Sequence, residues 1–240
     1  MLHLSSEILN NLRLNAIRYQ KKYDDGHVFG HIDQIPKHNI QELRLAALMH
    51  DIGHGPVSHQ FESFMPCKHE FSDVLPTAYH SIIDVLSKPE QKVEHEQLSL
   101  LFSLMIYHDL RKQGKIDDEI NIENVLKIIE KRYGDQQIIE EINGKATDIL
   151  PLMTSIISSC PIDADRMDYL LRDGYFSGVK CGIYDYNRLF MSIVPVEEQG
   201  KLYLLTKRVG LIRSLSLLGR APAFFRRYIT IKQTAPLRRC

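Results

Sequence analysis

Paired cysteines and long apolar runs are both missing from this 240-residue sequence, in which the four cysteines (67, 160, 181 and 240) have no CxxC spacing. Such scattered cysteines argue against a zinc ribbon or a disulfide framework and are typical of the reducing cytoplasm. No apolar run approaches the roughly 20 residues that cross a bilayer, and no signal peptide opens the chain. With 44% hydrophobic and 25% charged residues, the composition predicts a soluble globular protein of the cytoplasm with no membrane partner.

Net charge is also absent, but its zero value hides an uneven distribution. From Lys201 onward the chain has ten lysines and arginines and no acidic residue, so the first 200 residues hold 20 basic and 30 acidic ones. A basic end of this kind can contact phosphates or nucleic acid. A helix pair with a solvated basic face gives the same pattern, and the sequence leaves both interpretations open.

The hydrophobic pattern is mainly helical. Apolar residues at helical spacing predict an amphipathic helix over 5–22, and residues 40–51 have the all-round apolar character of a buried helix. Another helix is expected to begin within 57–65. Further helical patterns lie at 70–87, 94–110, 121–132, 136–142, 147–159 and 165–173.

Strand signals are confined to one place. Two β-rich runs flank the polar loop EEQG and predict a β-hairpin at 191–206. There is no βαβ alternation and no internal repeat. We therefore expect a mainly α fold with one small hairpin, in a single domain over 1–240.

The stretch LMHDIGHGPVSH, residues 48–59, carries three histidines and an aspartate around a helix end. His50 and Asp51 fall in the last turn of the predicted buried helix, where side chains can reach past its end. Gly53 then breaks the helix, and Gly55 and Pro56 turn the chain. Imidazole and carboxylate groups are ligands for Mn, Fe, Zn and similar divalent ions.

A second polar stretch, SSCPIDADRMDYLLRD, lies far downstream. Asp165 and Asp168 are three residues apart and share a helix face, whereas Asp173 lies more than a turn further along. An N-cap followed by an acidic first turn, which the helix dipole favours, explains the same residues without a functional site.

Taken together, HDIGHGPVSH and IDADRMDYLLRD resemble the motifs of the HD-domain phosphohydrolase superfamily. Within it the sequence is most similar to the deoxynucleoside triphosphate triphosphohydrolase branch, and VEHEQ at 93–97 resembles that branch's His-Glu-Gln helix start. The resemblance covers roughly residues 1–206 and implies an HD-domain helical bundle. The pair His108-Asp109 lacks the GHGPxSH continuation, and we interpret it as ordinary helix.

The resemblance implies a divalent metal site (Mn, Mg, Fe or Zn) and a catalytic group beside it. The metal ligands would be His50, Asp51 and Asp165. The catalytic and phosphate-facing group would be His54, Glu62 and His95, with Glu62 at a position where the branch usually has Asp, and with His59 in support.

The same resemblance implies the contacts to a nucleotide. Arg166 would bind the triphosphate, whereas Tyr169 and Asp173 would recognise the sugar and its 3′-hydroxyl. The C-terminal residues match the branch only loosely, and Lys232 is a weak phosphate-binding candidate there.

Both ends of the chain are expected to be truncated relative to the branch. Its first metal ligand is a His that opens the first helix, and the apolar register of Leu4, Ile8 and Leu9 places that ligand three residues before Met1. His3 is out of phase with the pattern. We therefore expect one protein ligand to be missing from this chain.

The leading hypothesis is a metal-dependent phosphohydrolase that converts a dNTP to a deoxynucleoside and triphosphate, in a homo-oligomer typical of the branch. A second hypothesis is a catalytically impaired regulatory module that binds nucleotides or nucleic acid. A third is an HD phosphomonoesterase acting on nucleoside monophosphates. The His-Glu-Gln and DxDRxDY motifs favour a nucleoside triphosphate over a monophosphate as the substrate.

Overall fold

A computed structural model describes residues 1–23, 26–85, 88–158, 163–178 and 184–206. The chain divides into two compact units. One contains Met1, His3–Gln34 and the described residues that follow Glu140, and the other contains Ile35–Glu140. The prediction of a single domain over 1–240 stays a prediction.

The Ile35–Glu140 unit is helical. Its α-helices are α2 (Lys37–Met49), α3 (Lys68–Val74), α4 (His80–Ile83), α5 (His95–Lys112) and α6 (Ile122–Ile129). Two short 3-10 helices, Ser58–Phe64 and Thr77–Tyr79, lie between α2 and α4. Helix α6 packs against both α2 and α5, and the core between them is aliphatic: Leu43, Ala46, Leu100, Val125 and Leu126.

A fully buried carboxylate joins α2 to α6. Glu42 Oε1 accepts a hydrogen bond from the backbone N–H of Asn121 at 2.9 Å, and its Oε2 accepts from Asn124 Nδ2 at 3.0 Å. Asn39 Nδ2 donates to the same Oε2, also at 3.0 Å. Buried polar groups are tolerated when they are hydrogen-bonded in this way, so the network fixes α2 and the residues that follow its end.

The other unit combines helices with one sheet. Helix α1 spans Leu2–Tyr23, and α7 (Leu150–Ile157), α8 (Ala164–Ser177) and α9 (Tyr186–Phe190) follow later in the chain. The strands are β1 (Ile139–Ile142), β2 (Lys145–Asp148), β3 (Ile193–Glu198) and β4 (Lys201–Thr206), in the spatial order β1-β2-β4-β3.

Helix α7 is the centre of that unit. It packs on β4 and on α8, because its sequence is apolar on nearly every side and its residues Leu152, Met153 and Ile156 are fully buried. Strands β3 and β4 are antiparallel, whereas β2 pairs with β4 in parallel. The sheet and α7 thereby support the start of α8.

The mainly helical prediction and the C-terminal hairpin are confirmed, with differences in detail. The hairpin loop has two residues, Gln199 and Gly200, rather than four, and both have positive φ (53° and 73°). The helix expected to begin within 57–65 is the short 3-10 helix Ser58–Phe64. The predicted helix over 136–142 is wrong, since this segment ends in strand β1.

Among the described residues, no helix combines the length and the apolar character needed to cross a membrane. The basic C-terminal stretch beyond Thr206, including Lys232, lies outside the described residues.

Candidate metal and catalytic site

The end of α2 places the first pair of polar side chains. The helix ends at Met49, and the N–H of His50 still donates to the carbonyl of Ala46 at 2.9 Å. Turn hydrogen bonds then carry the chain from Asp51 to His54. The side chains of His50 and Asp51 meet just past the helix, with His50 Nε2 at 3.0 Å from Asp51 Oδ2.

Gly53 is required by its neighbour rather than by its own backbone angles. A Cβ atom at this position would lie 2.2 Å from the carbonyl oxygen of His95 and 2.4 Å from the N of Ser99. The N–H of Gly53 also donates to Ser99 Oγ at 3.0 Å. The turn after α2 therefore packs directly against the start of α5.

The loop that follows holds two consecutive non-glycine residues in the left-handed region. Val57 has φ 68° and Ser58 has φ 55°, and a β-branched residue adopts this conformation only at a cost. These two residues reverse the chain into the 3-10 helix Ser58–Phe64, which carries His59 and Glu62.

A short ladder of backbone hydrogen bonds brings Glu62 to the start of α5. Cys67 pairs with Lys92 in an antiparallel bridge. Lys68 N donates to the carbonyl of Gln91 at 2.8 Å, and Val93 N donates to that of Pro66 at 3.1 Å. The ladder joins two segments about 25 residues apart in sequence and places Glu62 beside His95.

Glu62 is hydrogen-bonded by two histidines through a single oxygen. Glu62 Oε1 accepts from His95 Nδ1 at 2.5 Å and from His59 Nδ1 at 3.2 Å. The ring of His54 stacks on that of His95 with a centroid separation of 3.8 Å, and His54 Nε2 is 3.7 Å from Asp51 Oδ1. The Ile35–Glu140 unit thus brings together the predicted residues His50, Asp51, His54, His59, Glu62 and His95.

Charge balance keeps both carboxylates of this group ionised. Burial alone would raise the pKa of Asp51, but the hydrogen bond from His50 and the charges of nearby histidines hold it below its usual value. Burial likewise opposes the hydrogen bonds from His95 and His59 to Glu62, and those bonds lower the pKa of Glu62.

The imidazole of His54 is shifted toward its neutral form. Burial, followed by the charge of His95, lowers the pKa of His54, and the nearby carboxylate of Asp51 opposes this only in part. Near pH 7 the His54 ring is therefore mostly uncharged, a state that can accept a proton or bind a metal.

Glu96 belongs to this group and was missed by the sequence analysis. Its Oε2 lies 3.3 Å from His95 Nδ1, and burial together with the negative charges of Glu94 and Glu130 raises its pKa. The His-Glu-Gln motif contained the signal, because it puts a carboxylate directly after the helix-opening His in the sequence. His59 was given only a supporting role, although it shares the Glu62 oxygen with His95.

The other unit carries Asp165, Arg166, Tyr169 and Asp173 on α8, whereas Lys232 lies outside the described residues. Asp163 caps this helix, accepting from the N–H of Arg166 at 2.7 Å, so the N-cap interpretation holds for Asp163. Asp165 lies in the first turn. At 100° per residue, the predicted side chains of Asp165, Arg166, Tyr169 and Asp173 fall within an arc of about 100° on one face of the helix.

The side chains on that face differ in their surroundings. Arg166 Nη1 lies 3.4 Å from Asp163 Oδ2. Burial raises the pKa of Tyr169, with Arg166 opposing, so its phenol keeps its proton and can donate a hydrogen bond. Asp168 has a different role from Asp165, since Arg172, one turn further along, forms an ion pair with it.

The donors at the end of α2 fit a divalent cation. Two atoms that bind one such ion at about 2.1 Å with an octahedral angle of about 90° lie about 3 Å apart, which is close to the 3.0 Å separation of His50 Nε2 and Asp51 Oδ2. A nitrogen and a carboxylate oxygen suit Mn, Fe and Zn, and the carboxylate also suits Mg.

Comparison with known proteins agrees with the motifs. The chain is similar to the uncharacterized protein MG461 of Mycoplasma genitalium, with 30% identity over 175 residues that cover 72% of this chain and 32% of that protein. It is 32% identical to the uncharacterized protein YwfO of Bacillus subtilis over 161 residues, or 66% of this chain and 27% of YwfO.

A more distant relative has a named activity. The human deoxynucleoside triphosphate triphosphohydrolase SAMHD1 is 25% identical over 202 residues, which cover 74% of this chain and 27% of SAMHD1. The chain thus spans about a third or less of the length of these relatives. The model of the HD domain family matches residues 16–173, which include both polar stretches. The chain therefore belongs to the HD domain family, a family of metal-dependent phosphohydrolases.

Proposed function

We propose that this protein hydrolyses a deoxynucleoside triphosphate to a deoxynucleoside and inorganic triphosphate. The observation that carries the proposal is that two histidines donate hydrogen bonds to the carboxylate of Glu62. This group lies next to the His50–Asp51 pair. The activity printed for the SAMHD1 relative supports the choice of substrate.

In this proposal His50, Asp51 and Asp165 hold one divalent metal ion. Such an ion supplies positive charge against the phosphate oxygens and makes nearby water more acidic. His50 and Asp51 lie at the end of α2, and Asp165 lies in the first turn of α8.

The chain's own residues handle the protons. Glu62 fixes the Nδ1 atoms of His95 and His59, so that their Nε2 atoms are directed elsewhere and can exchange a proton with substrate or water. Water adds to the α-phosphorus and gives a proton to one of these imidazoles, the bond from that phosphorus to the 5′-oxygen breaks, and the leaving 5′-oxygen takes up a proton from a protonated imidazole. The neutral ring of His54 is suited to face the phosphate or accept a proton.

Helix α8 contributes recognition. The guanidinium of Arg166 binds phosphate oxygens, for which its planar fork is suited. The protonated phenol of Tyr169 donates to the sugar, and the exposed carboxylate of Asp173 accepts from the 3′-hydroxyl.

The proposal is tested by product analysis with dGTP and Mn²⁺ in water enriched in ¹⁸O. We expect deoxyguanosine and triphosphate in equal amounts, with the ¹⁸O in the triphosphate as shown by ³¹P NMR. His95→Gln should abolish this turnover, whereas His38→Gln, which changes a histidine on α2 outside the group, should retain it. Release of only pyrophosphate or orthophosphate would refute the triphosphohydrolase reaction, and tight dGTP binding without turnover would favour the regulatory module instead.

A further inference from the structure

Two carboxylates lie beside the same ring nitrogen of His95. The Nδ1 atom of His95 donates to Glu62 Oε1 at 2.5 Å, and Glu96 Oε2 lies 3.3 Å from that nitrogen. An N–H group has one hydrogen and makes one short hydrogen bond, which Glu62 accepts. Glu96 Oε2 is itself buried and has no hydrogen-bond partner in the part of the chain that the structure describes.

The free oxygen of Glu96 is a good acceptor for a hydrogen bond. An acceptor that is removed from water without a partner is unfavourable, because it has lost its hydrogen bonds to water. Burial, together with the charges of Glu94 and Glu130, raises the pKa of Glu96, and the charge of His95 opposes this shift. The carboxylate is therefore more basic than an exposed one, and the nearest ring N–H is that of His95.

Helix α5 holds Glu96 in a fixed position. Glu96 lies in the first turn, where the backbone N–H of Glu94 donates to Gln97 Oε1 at 2.9 Å as part of a capping box. The same end of the helix contacts the turn after α2, because the N–H of Gly53 donates to Ser99 Oγ at 3.0 Å. Glu96 therefore stays beside His95 as long as α5 is folded.

Glu62 lies on a segment with weaker support. No residue of its 3-10 helix, Ser58–Phe64, is buried. The helix is entered through Val57 and Ser58, both at positive φ, a conformation that costs energy in residues other than glycine. The backbone ladder that follows holds only the far end of the segment. Segments with few buried contacts open more readily than the core, so Glu62 is the carboxylate that we expect to move.

We propose that Glu96 is a positioning residue for His95, and that it accepts the Nδ1–H of His95 when the segment carrying Glu62 moves away. The hydrogen bond forms when the separation shortens from 3.3 Å to the usual value of about 2.9 Å. The ring then keeps its proton on Nδ1, and Nε2 stays free to face substrate or water. The effect on turnover rests on the proposed function, whereas the state of the ring does not.

The test is NMR of the metal-free protein labelled with ¹⁵N-histidine, at a pH where the rings are neutral. The shifts of the two ring nitrogens show which one carries the proton, and the signals that His95→Gln removes belong to His95. We expect Glu62→Ala to keep the proton on Nδ1, because Glu96 takes over. Glu62→Ala/Glu96→Ala should give a mixture of both tautomers. Glu62→Ala/Glu90→Ala, in which the second change removes an exposed glutamate before α5, should match Glu62→Ala.

Hydrogen exchange in the wild-type protein tests the movement itself and needs no variant. The N–H of Met65 donates to the carbonyl of Glu62 at 3.1 Å, and the N–H of Leu98 donates to that of Glu94 in the first turn of α5. We expect the Met65 amide to exchange faster than the Leu98 amide. Slower or equal exchange at Met65 would show that Glu62 does not leave before α5 opens, and would overturn the proposal.

Turnover gives a third measurement. Under the proposed function, Glu96→Ala should lower kcat for dGTP by about 10-fold, as the loss of a group that orients a functional histidine does, with little change in KM. Glu90→Ala should change neither. Equal tautomer ratios in Glu62→Ala and Glu62→Ala/Glu96→Ala would overturn the role of Glu96 whether or not the protein hydrolyses dNTPs, so the two proposals can fail separately.

Discussion

Glu62 shows why a longer side chain can stand where the branch usually has aspartate. Its single Oε1 atom is reached by Nδ1 of both His95 and His59, from two segments. The family resemblance assigned Glu62 and His95 to one group, and the structure places them in hydrogen-bond contact; their catalytic role stays a prediction. The hydrogen bond from His59 to the same oxygen could not be predicted, because it depends on the 3-10 geometry of residues 58–64.

The lowered pKa of Glu62 predicts how stability depends on pH. The unfolded carboxyl has a pKa of about 4.3, and hydrogen bonds from His95 and His59 outweigh burial to lower the folded value. The folded state therefore binds the proton less tightly. The stabilisation is complete above the unfolded pKa and is lost as the pH falls through the folded one.

We accordingly expect Glu62→Gln to lower the melting temperature most near pH 6, with the gap to wild type narrowing toward pH 3. Thermal melts across this range of pH measure the gap. Glu119→Gln, at an exposed position, should follow the wild-type curve throughout. A gap that stays constant with pH would show that Glu62 does not owe its effect to its charge.

At the scale of elements, the contact between the turn after α2 and helix α5 positions the side chains of the site. Gly53 lies at this contact. Any Cβ at this position collides with the backbone of His95 and Ser99, which cannot move without displacing the first turn of α5. Gly26 is a matched control, since nothing lies within 4 Å of a Cβ there.

Gly53→Ala is therefore expected to lower the free energy of unfolding by about 2–4 kcal/mol, and to reduce turnover by shifting His95. Gly26→Ala should leave the free energy of unfolding and the turnover equal to those of the wild type within experimental error. Chemical denaturation and the triphosphate assay measure the two effects. Equal stability of the two variants would contradict the close approach of the turn to α5.

Helix positions could be predicted from sequence more reliably than the sheet. Helices α1, α2 and α5 follow long apolar periodicities, whereas residues 136–142 offer only a short apolar run that fits either helix or strand. The turn Asn143-Gly144, with φ 52° and 70°, connects β1 to β2, and this dipeptide favours hairpin turns. The Asn-Gly dipeptide therefore indicated the β1–β2 hairpin, which the sequence analysis did not predict.

At the scale of the whole molecule, binding of the proposed metal ion is coupled to folding. An ion that binds only the folded state stabilises it by about 2.7 kcal/mol at 100 times its Kd. The order of the two motifs and their family match could be predicted from sequence.

Mn²⁺ should raise the melting temperature of the wild-type protein, and Asp51→Asn and Asp165→Asn should each remove most of that increase. Asp173→Asn changes a carboxylate on the same face of α8 that is assigned to the sugar, so it should keep the response to Mn²⁺. Differential scanning fluorimetry with and without EDTA measures these shifts. An unchanged Mn²⁺ response in Asp165→Asn would exclude Asp165 from the ligand set.

The ladder between residues 66–68 and 91–93 has a consequence for how this chain can vary. It closes residues 69–90 into a loop whose two ends are fixed to each other. Lengthening a closed loop costs little, about 0.6 kcal/mol for each doubling. Insertions at exposed positions between α3 and α5 should therefore leave Glu62 and His95 in register.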